Sequence, residues 1–290
     1  MKRRFFTSIY TKQLDFGVNP ERPFLMSKRF VGLMLAPVFA ALLTAAPAAG
    51  QGNIPRAADG KPDLSGIWQV VNTAAWDLEP HQAQRGVPAG LGVVEGNIIP
   101  YLPAALEQKR ANYENRDTLD PEAKCFLPGV PRITYMPYPF QIVQTSRNVK
   151  FLYEYVHAVR HIFMTGEHPD GHIDWFMGDS RGRWEGDTLV VDSIHFDAQT
   201  WFDRAGNFHS EELHVVERYT PVTADRLDYQ VTIEDPKVFS RPWNIRMPIY
   251  RRVEENMQLL EYECYAFDDE FHVTPGMEPP TADQIRQRQQ

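Results

Sequence analysis

Two stretches of this chain bring together side chains able to move protons or hold a ligand. Residues 149–164 carry Glu154, His157, Arg160 and His161 among apolar neighbours. In an unbroken strand, alternation places Glu154 and Arg160 on one face with Leu152, Val156, Ala158 and Ile162. His157 and His161 then lie opposite, with Tyr153, Tyr155 and Val159. Polar groups in such a strand need partners if they are buried. A cavity on the first face would let Glu154 and Arg160 orient a ligand, and an inward His157 would serve as a general base near neutral pH. The alternative is surface charge and satisfied histidines. At ~3.3 Å per residue the two histidines are roughly 13 Å apart, too far to chelate one metal unless the strand bends. The second stretch holds His195, Trp201, Asp203, His209 and His214 with Phe196, Phe202 and Phe208. It reads either as the rim of a ligand site or as an apolar cap.

Two shorter motifs add candidates. Gly178-Asp179-Ser180-Arg181-Gly182 fits the G-x-S-x-G pattern of serine hydrolases. That pattern works on a strand-to-helix turn, and a turn followed by a strand is expected here instead, with Asp179 capping backbone amides. His168, His172 and Asp174 are possible metal ligands, but Pro169 and Gly171 mark a turn, and a solvated loop competes with a metal site. An acid–base site would therefore draw on Glu154, His157, Arg160, Asp179 and His214. A binding site would draw on Tyr153, Tyr155, Trp175, Trp201, Asp203 and His209. No phosphate-binding glycine loop or haem motif is present, so no cofactor is implied.

The elements that must position these residues are mostly strands. Residues 67–71 open the set, followed by a long loop over 72–103 and one short charged helix over 104–115. Four prolines between 125 and 139 argue against a central strand or a helix there. Strands are expected at 140–145, 149–164 (with a bend, or as two strands), 188–192, 213–219, 227–233, 249–253 and 257–267. In 227–233, Leu227, Tyr229, Val231 and Ile233 alternate with Asp228, Gln230 and Thr232, the period of a half-buried strand. The fold class is mainly β: an antiparallel barrel, lipocalin-like, or a sandwich, with long N-terminal loops and one short helix. Helical crossovers for a parallel sheet are missing.

Residues 26–50 have the basic start, apolar run and small-residue end of a secretory signal peptide. Residues 1–25 precede it as a mis-called extension, with the functional start at Met26. A linker over 51–62, one β-rich domain over 63–274 and a polar tail over 275–290 complete the organisation. The first 50 residues hold seven Lys/Arg and two Asp/Glu, leaving 23 basic and 36 acidic residues, net −13. Such a surface disfavours nucleic acid. A periplasmic or secreted location follows, with no membrane association after cleavage. There Cys125 and Cys264 can pair, or remain two separate buried thiols.

Gly66-Ile67-Trp68 is similar to the Gly-x-Trp opening of lipocalins, which tend to set a late arginine over that tryptophan; Arg251 or Arg252 is available, although the expected final strand 257–267 has none. More of the chain resembles a group of uncharacterised secreted bacterial proteins, through PDLSGIW at 62–68, PFQIVQT at 139–145, the 178–192 segment ending WEGDTLVVD, HVVER at 214–218 and TIEDP at 232–236. That resemblance implies kinship of fold and no mechanism.

Three functions stay open. An exported barrel that binds a small, partly apolar ligand predicts a closed cavity lined by Tyr, Phe and Trp. A periplasmic acid–base enzyme (hydrolase, lyase or isomerase) using residues 154–217 predicts His157 or His214 beside a carboxylate in a pocket. An envelope interaction protein predicts no cavity.

Overall fold

The computed structural model describes residues 54–264 except Arg85 and His172. The expected signal peptide, the expected extension before it and the expected polar tail lie outside those residues. Within them the chain forms β1 (Gly66–Gln69), α1 (Pro103–Glu114), α2 (Arg116–Leu119), a 3-10 turn (Glu122–Lys124) and α3 (Arg132–Tyr135). It continues through β2 (Phe140–Gln144), β3 (Asn148–Tyr153), β4 (Val159–Phe163), β5 (Asp179–Glu185), β6 (Thr188–Ile194), β7 (His214–Thr223), β8 (Arg226–Glu234) and β9 (Trp243–Arg251). The nine strands make one closed barrel in sequence order, mainly β as expected. Every neighbouring pair is antiparallel except β4 and β5, which run parallel.

Closure occurs where Trp68 of β1 pairs with Arg251 of β9. The Arg251 guanidinium lies 4.2 Å from the Trp68 ring centroid, and Trp68 Nε1 donates to the Leu64 carbonyl at 2.8 Å. Gly66 sits at φ +132°, and a Cβ there would lie 2.1 Å from Arg251 Nη1. The Gly-x-Trp opening and the late arginine are thus one packed unit, and a side chain at position 66 would displace the cation.

The β8 alternation holds: Leu227, Tyr229, Val231 and Ile233 are buried and the residues between them are not. Inward aromatic rings contact one another across the barrel interior. Phe140 meets Phe151 at 5.6 Å, Phe151 meets Tyr219 at 5.2 Å and Tyr219 meets Tyr229 at 4.8 Å. Packed rings thus occupy this part of the interior, where the binding reading expects a closed cavity lined by Tyr, Phe and Trp.

Several sequence expectations are corrected. Of the two alternatives for residues 149–164 the structure has two strands, β3 and β4, joined by a tight turn with Val156 at φ 45° and His157 at φ 50°, and what is corrected is the facing of their side chains. The turn shifts the parity, so Arg160 faces inward with Phe151 and Tyr153. Residues 179–185, expected as turns, are strand β5. The last strand is β9 rather than 257–267; among the described part of that segment only an isolated bridge, Tyr155 to Tyr262, is β-like. The proline-rich segment admits one helical turn, α3, because Pro131 occupies its N-cap position, where no amide hydrogen is needed. Part of the expected linker is docked, with Arg56 Nη2 2.7 Å from Asp187 Oδ2. Cys125 and Cys264 form a disulfide.

Candidate functional site

The parallel junction creates the main concavity. Only Ile162 with Ser180 and Phe163 with Arg181 pair across it, so the first half of β4 has no neighbour on that side. Gly178, at φ +64°, turns the chain into β5 against the Phe196 ring, where a Cβ would lie 2.7 Å from Cε1. The resulting cleft has a volume of about 710 Å³. Val159, Phe163, Ile173 and Trp175 line it, exposed at 59, 38, 65 and 41 %. Four of the large exposed apolar side chains of the described fold therefore converge on one opening, the signature of a binding surface rather than scattered exposure. A second cleft, of about 480 Å³ beside Cys264, is lined largely by charged residues that include the paired Glu122 and Arg204.

The floor of the large cleft includes Arg160 and Ser180. Arg160 is 3 % exposed, and inside the barrel its Nε donates to Ser180 Oγ and its Nη2 to Ser193 Oγ, both at 3.0 Å. It also donates from Nη2 to Glu217, which is fully buried. Glu217 Oε1 accepts from the Tyr219 hydroxyl at 2.8 Å and the Tyr229 hydroxyl at 2.6 Å. Glu217 outweighs the cost of burial and holds the Arg160 guanidinium charged, well above its ordinary range. Tyr153 faces the same interior, its hydroxyl 3.4 Å from Thr134 Oγ1, and burial pushes its phenol up to about 12. Ser180 thus lies on a strand, held by Arg160 and Ser193, and not on the strand-to-helix turn of a hydrolase nucleophile.

At the cleft edge a row of charges runs along the outside of the barrel. Asp179 takes both Nε and Nη2 of Arg181, at 2.7 and 3.0 Å. His168 spans two carboxylates, with Nδ1 2.7 Å from Asp179 and Nε2 3.2 Å from Asp192. His214 Nε2 lies 3.0 Å from the same Asp192 oxygen, and its Nδ1 is 3.7 Å from Glu234. The hydrogen bond to Asp192 raises the His214 pKa, and that same bond lowers the Asp192 pKa, with burial opposing both. Both nitrogens of His168 face carboxylates, whereas His214 has only Nε2 hydrogen-bonded to one, the geometry of a histidine–carboxylate pair, but it lies on the outer wall and does not line the cleft. Asp192 organises this row and was missed from sequence. The usable signal was strand alternation, which turns Asp192 of β6 and His214 of β7 outward on adjacent strands.

The other expected site residues separate into two groups. Glu154 is buried at the end of β3, and its Oε2 accepts the Leu260 amide at 2.8 Å. His157 Nδ1 lies 2.8 Å from Glu263, and Tyr155 packs on Tyr138 and Tyr262. These three hold the disulfide-tethered C-terminal segment, and with Glu154 outside the barrel the expected Glu154–Arg160 pairing is not formed. Trp201, Asp203 and His209 are buried in the loop before β7. Asp203 accepts from the Leu78 and Ala205 amides at 2.9 Å and from Asn207 Nδ2 at 2.6 Å; burial, then the charge of Asp77, raises it to about 7. His209 lies between Thr200 Oγ1 at 2.6 Å and the Ser210 carbonyl at 2.8 Å, and burial lowers its pKa. The polar atoms of Asp203 and His209 are used internally, so this loop is a cap. Trp175 and Asp174 line the cleft. His172 lies outside the described residues, and among those described no three His, Cys, Asp or Glu side chains are placed to hold a metal. Comparison with protein-family models and with curated proteins finds no match.

Proposed function

We propose that this protein is an exported β-barrel that binds a small, partly apolar molecule, and that the site is the lateral cleft between β4 and β5. The observation that carries the reading is the convergence of Val159, Phe163, Ile173 and Trp175 on a concavity of about 710 Å³, bordered by the Asp179–Arg181 pair. That size and mixture suit a small ligand: an apolar wall supplies affinity and a few fixed polar groups supply orientation. The Cys125–Cys264 disulfide supports an oxidising compartment and hence export. Binding is favoured over acid–base turnover because neither His157 nor His214 lines the cleft, His168 at its edge is clamped between two carboxylates, and His161, which does line it, has its Nε2 beside the Asn148 amide oxygen and not a carboxylate.

The test uses N-phenyl-1-naphthylamine, a neutral apolar dye whose emission rises on leaving water. Wild-type protein is expected to bind it saturably, and Trp175→Ala and Ile173→Asp are expected to weaken binding at least tenfold with unchanged circular dichroism. Dye binding that both variants leave intact places the ligand elsewhere and sinks the proposal.

A further inference from the structure

From the outer wall of the cleft we infer the chemical class of the ligand: an apolar or aromatic molecule bearing one cationic group, such as a primary ammonium, which sits beside Trp175. This rests on the cleft being the binding site. Trp175 is 41 % exposed, and its backbone is held on both sides. Its amide donates to the His195 carbonyl at 2.9 Å, and its carbonyl accepts the Asp197 amide at 3.0 Å. The bridge so formed carries Asp174 on one segment and Asp197 on the other, and both line the cleft. A side recess of about 60 Å³ shares Pro169, Ile173 and Trp175 with the cleft and adds Asp170. Three carboxylates from two segments therefore border the hollows that one exposed indole lines.

Their charge is not balanced. Among the described residues no Lys, Arg or His forms an ion pair with Asp170, Asp174 or Asp197. The Asp197 carboxylate accepts only from Gln199, from its amide at 2.9 Å and its Nε2 at 3.2 Å. The cations lining the cleft are engaged elsewhere. Arg181 is bound by Asp179 and lies 4.6 Å from the Phe163 ring centroid, and Arg160 pairs with Glu217 inside the barrel. His161 stacks on Phe163 at 4.2 Å, and His195 Nε2 lies 3.2 Å from the Pro169 carbonyl, so neither histidine offsets these aspartates. No cation of the described residues covers the Trp175 indole. An ammonium entering here is attracted by the aspartates and by the indole face, while the apolar walls hold the rest of the molecule. A carboxylate meets the same aspartates and is repelled. The acidic excess of the chain beyond residue 50 draws cations from longer range.

The experiment compares three naphthalenes of similar shape by displacement of N-phenyl-1-naphthylamine near neutral pH. 2-(Aminomethyl)naphthalene is a cation, 2-(hydroxymethyl)naphthalene its neutral counterpart and 2-naphthoate an anion. At low salt the amine is expected to bind about fivefold more tightly than the alcohol, and naphthoate more weakly than either. Raising the salt to about 0.5 M should cut that preference roughly in half or further. Asp174→Asn/Asp197→Asn should do the same at low salt, and Asp174→Asn alone, at an exposed position, should lower it in part. Equal affinities, or tighter binding of the alcohol, overturn the cation inference and leave the cleft reading intact. Tighter naphthoate binding overturns it in favour of an anion. A preference for the amine that neither salt nor the aspartate variants reduce puts the charge elsewhere and overturns it as well. The salt series needs no variant, so a double variant that fails to fold does not shield the inference. If the dye binds and none of the three displaces it, the inference fails. Absence of dye binding removes the cleft reading and this inference with it.

Discussion

Replacing Glu217 by Gln removes the negative member of the charge cluster inside the barrel at nearly constant volume. Glu217 is fully buried and takes three donors: Arg160, Tyr219 and Tyr229. The glutamine keeps one acceptor for the tyrosines but presents an amide NH2 to a guanidinium, donor against donor. An uncompensated cation then sits in an apolar barrel, and breaking such a pair costs about 3–5 kcal/mol. We expect about 4 kcal/mol, at the middle of that range, because Ser180 and Ser193 still solvate Arg160. Arg160→Met has a different signature. Glu217 would remain buried with only the two phenols as donors, so the uncompensated buried charge is then the anion and not the cation. The double variant Arg160→Met/Glu217→Gln leaves no buried charge and is expected to cost no more than the worse single variant. Urea unfolding followed by tryptophan fluorescence gives all three values. If the two single effects add to the double within about 0.5 kcal/mol, the residues act independently and the account of the barrel interior is wrong.

Three further outcomes follow from other parts of the fold. The Cys125–Cys264 bond joins residues 139 apart, and loop-closure entropy sets an upper limit of about 5 kcal/mol on its contribution; Cys125→Ser/Cys264→Ser should lower the urea midpoint strongly, and an unchanged midpoint argues against the bond. For Asp192 and His214 the pH window is set by two signs. The raised His214 pKa gives stability that is complete below about 6.5 and lost as pH rises through the folded value, and the lowered Asp192 pKa gives stability that is present above about 3.9 and lost on acidification. With both side chains partly exposed the pair is worth about 1 kcal/mol, so Asp192→Asn should destabilise most between about pH 4 and 6.5 and least at pH 9; a pH-independent loss would show that the ion pair is not the cause. Finally, Val156 and His157 occupy left-handed conformations that a β-branched residue resists. Val156→Asn/His157→Gly gives the turn its preferred residues and should raise the melting temperature, a gain reduced by loss of the His157–Glu263 contact; a lower melting temperature would mean that Val156 packing outweighs the strain.

How much of this was legible from sequence depended on whether alternation was interrupted. β8 alternates without a break and its inward face was readable in full. β7 contains the same signal: Glu217 shares a face with the buried Val215 and Tyr219, which marks it as an inward charge in need of a partner. That partner, Arg160, was assigned to the wrong neighbours because the Val156-His157 turn carries no glycine or proline and hides the end of β3. β9 was read only at its end, as 249–253, although the buried–exposed alternation begins at Trp243 and Pro248 points outward on the strand. β5 was missed because Gly178, Ser180 and Gly182 resemble a turn. A Cβ at Gly182 would lie 2.6 Å from Ile162 Cγ2, so its small size serves the close approach to β4. The row through Asp192 was hidden for a different reason: it depends on His168, which reaches the barrel wall from a loop, and no periodicity describes a loop.

The site itself follows from a parity argument. In a closed barrel whose strands are neighbours in chain order, direction reversals around the ring must be even in number. Nine strands give nine neighbour pairs, so a barrel of reversals alone cannot close, and one pair must be parallel. That pair is β4 and β5. A parallel connection has to carry the chain back along the barrel, and in the segment 164–178 that does so the described residues form no helix. This return path brings His168, Ile173 and Trp175 to the barrel wall, and the short two-residue pairing leaves the first half of β4, with Arg160, uncovered on one edge. A tenth strand filling that gap would restore even parity, cover β4 and remove the cleft. The odd strand number and the cleft are thus one structural fact, which is why the binding experiments are directed at this junction and not at the barrel interior.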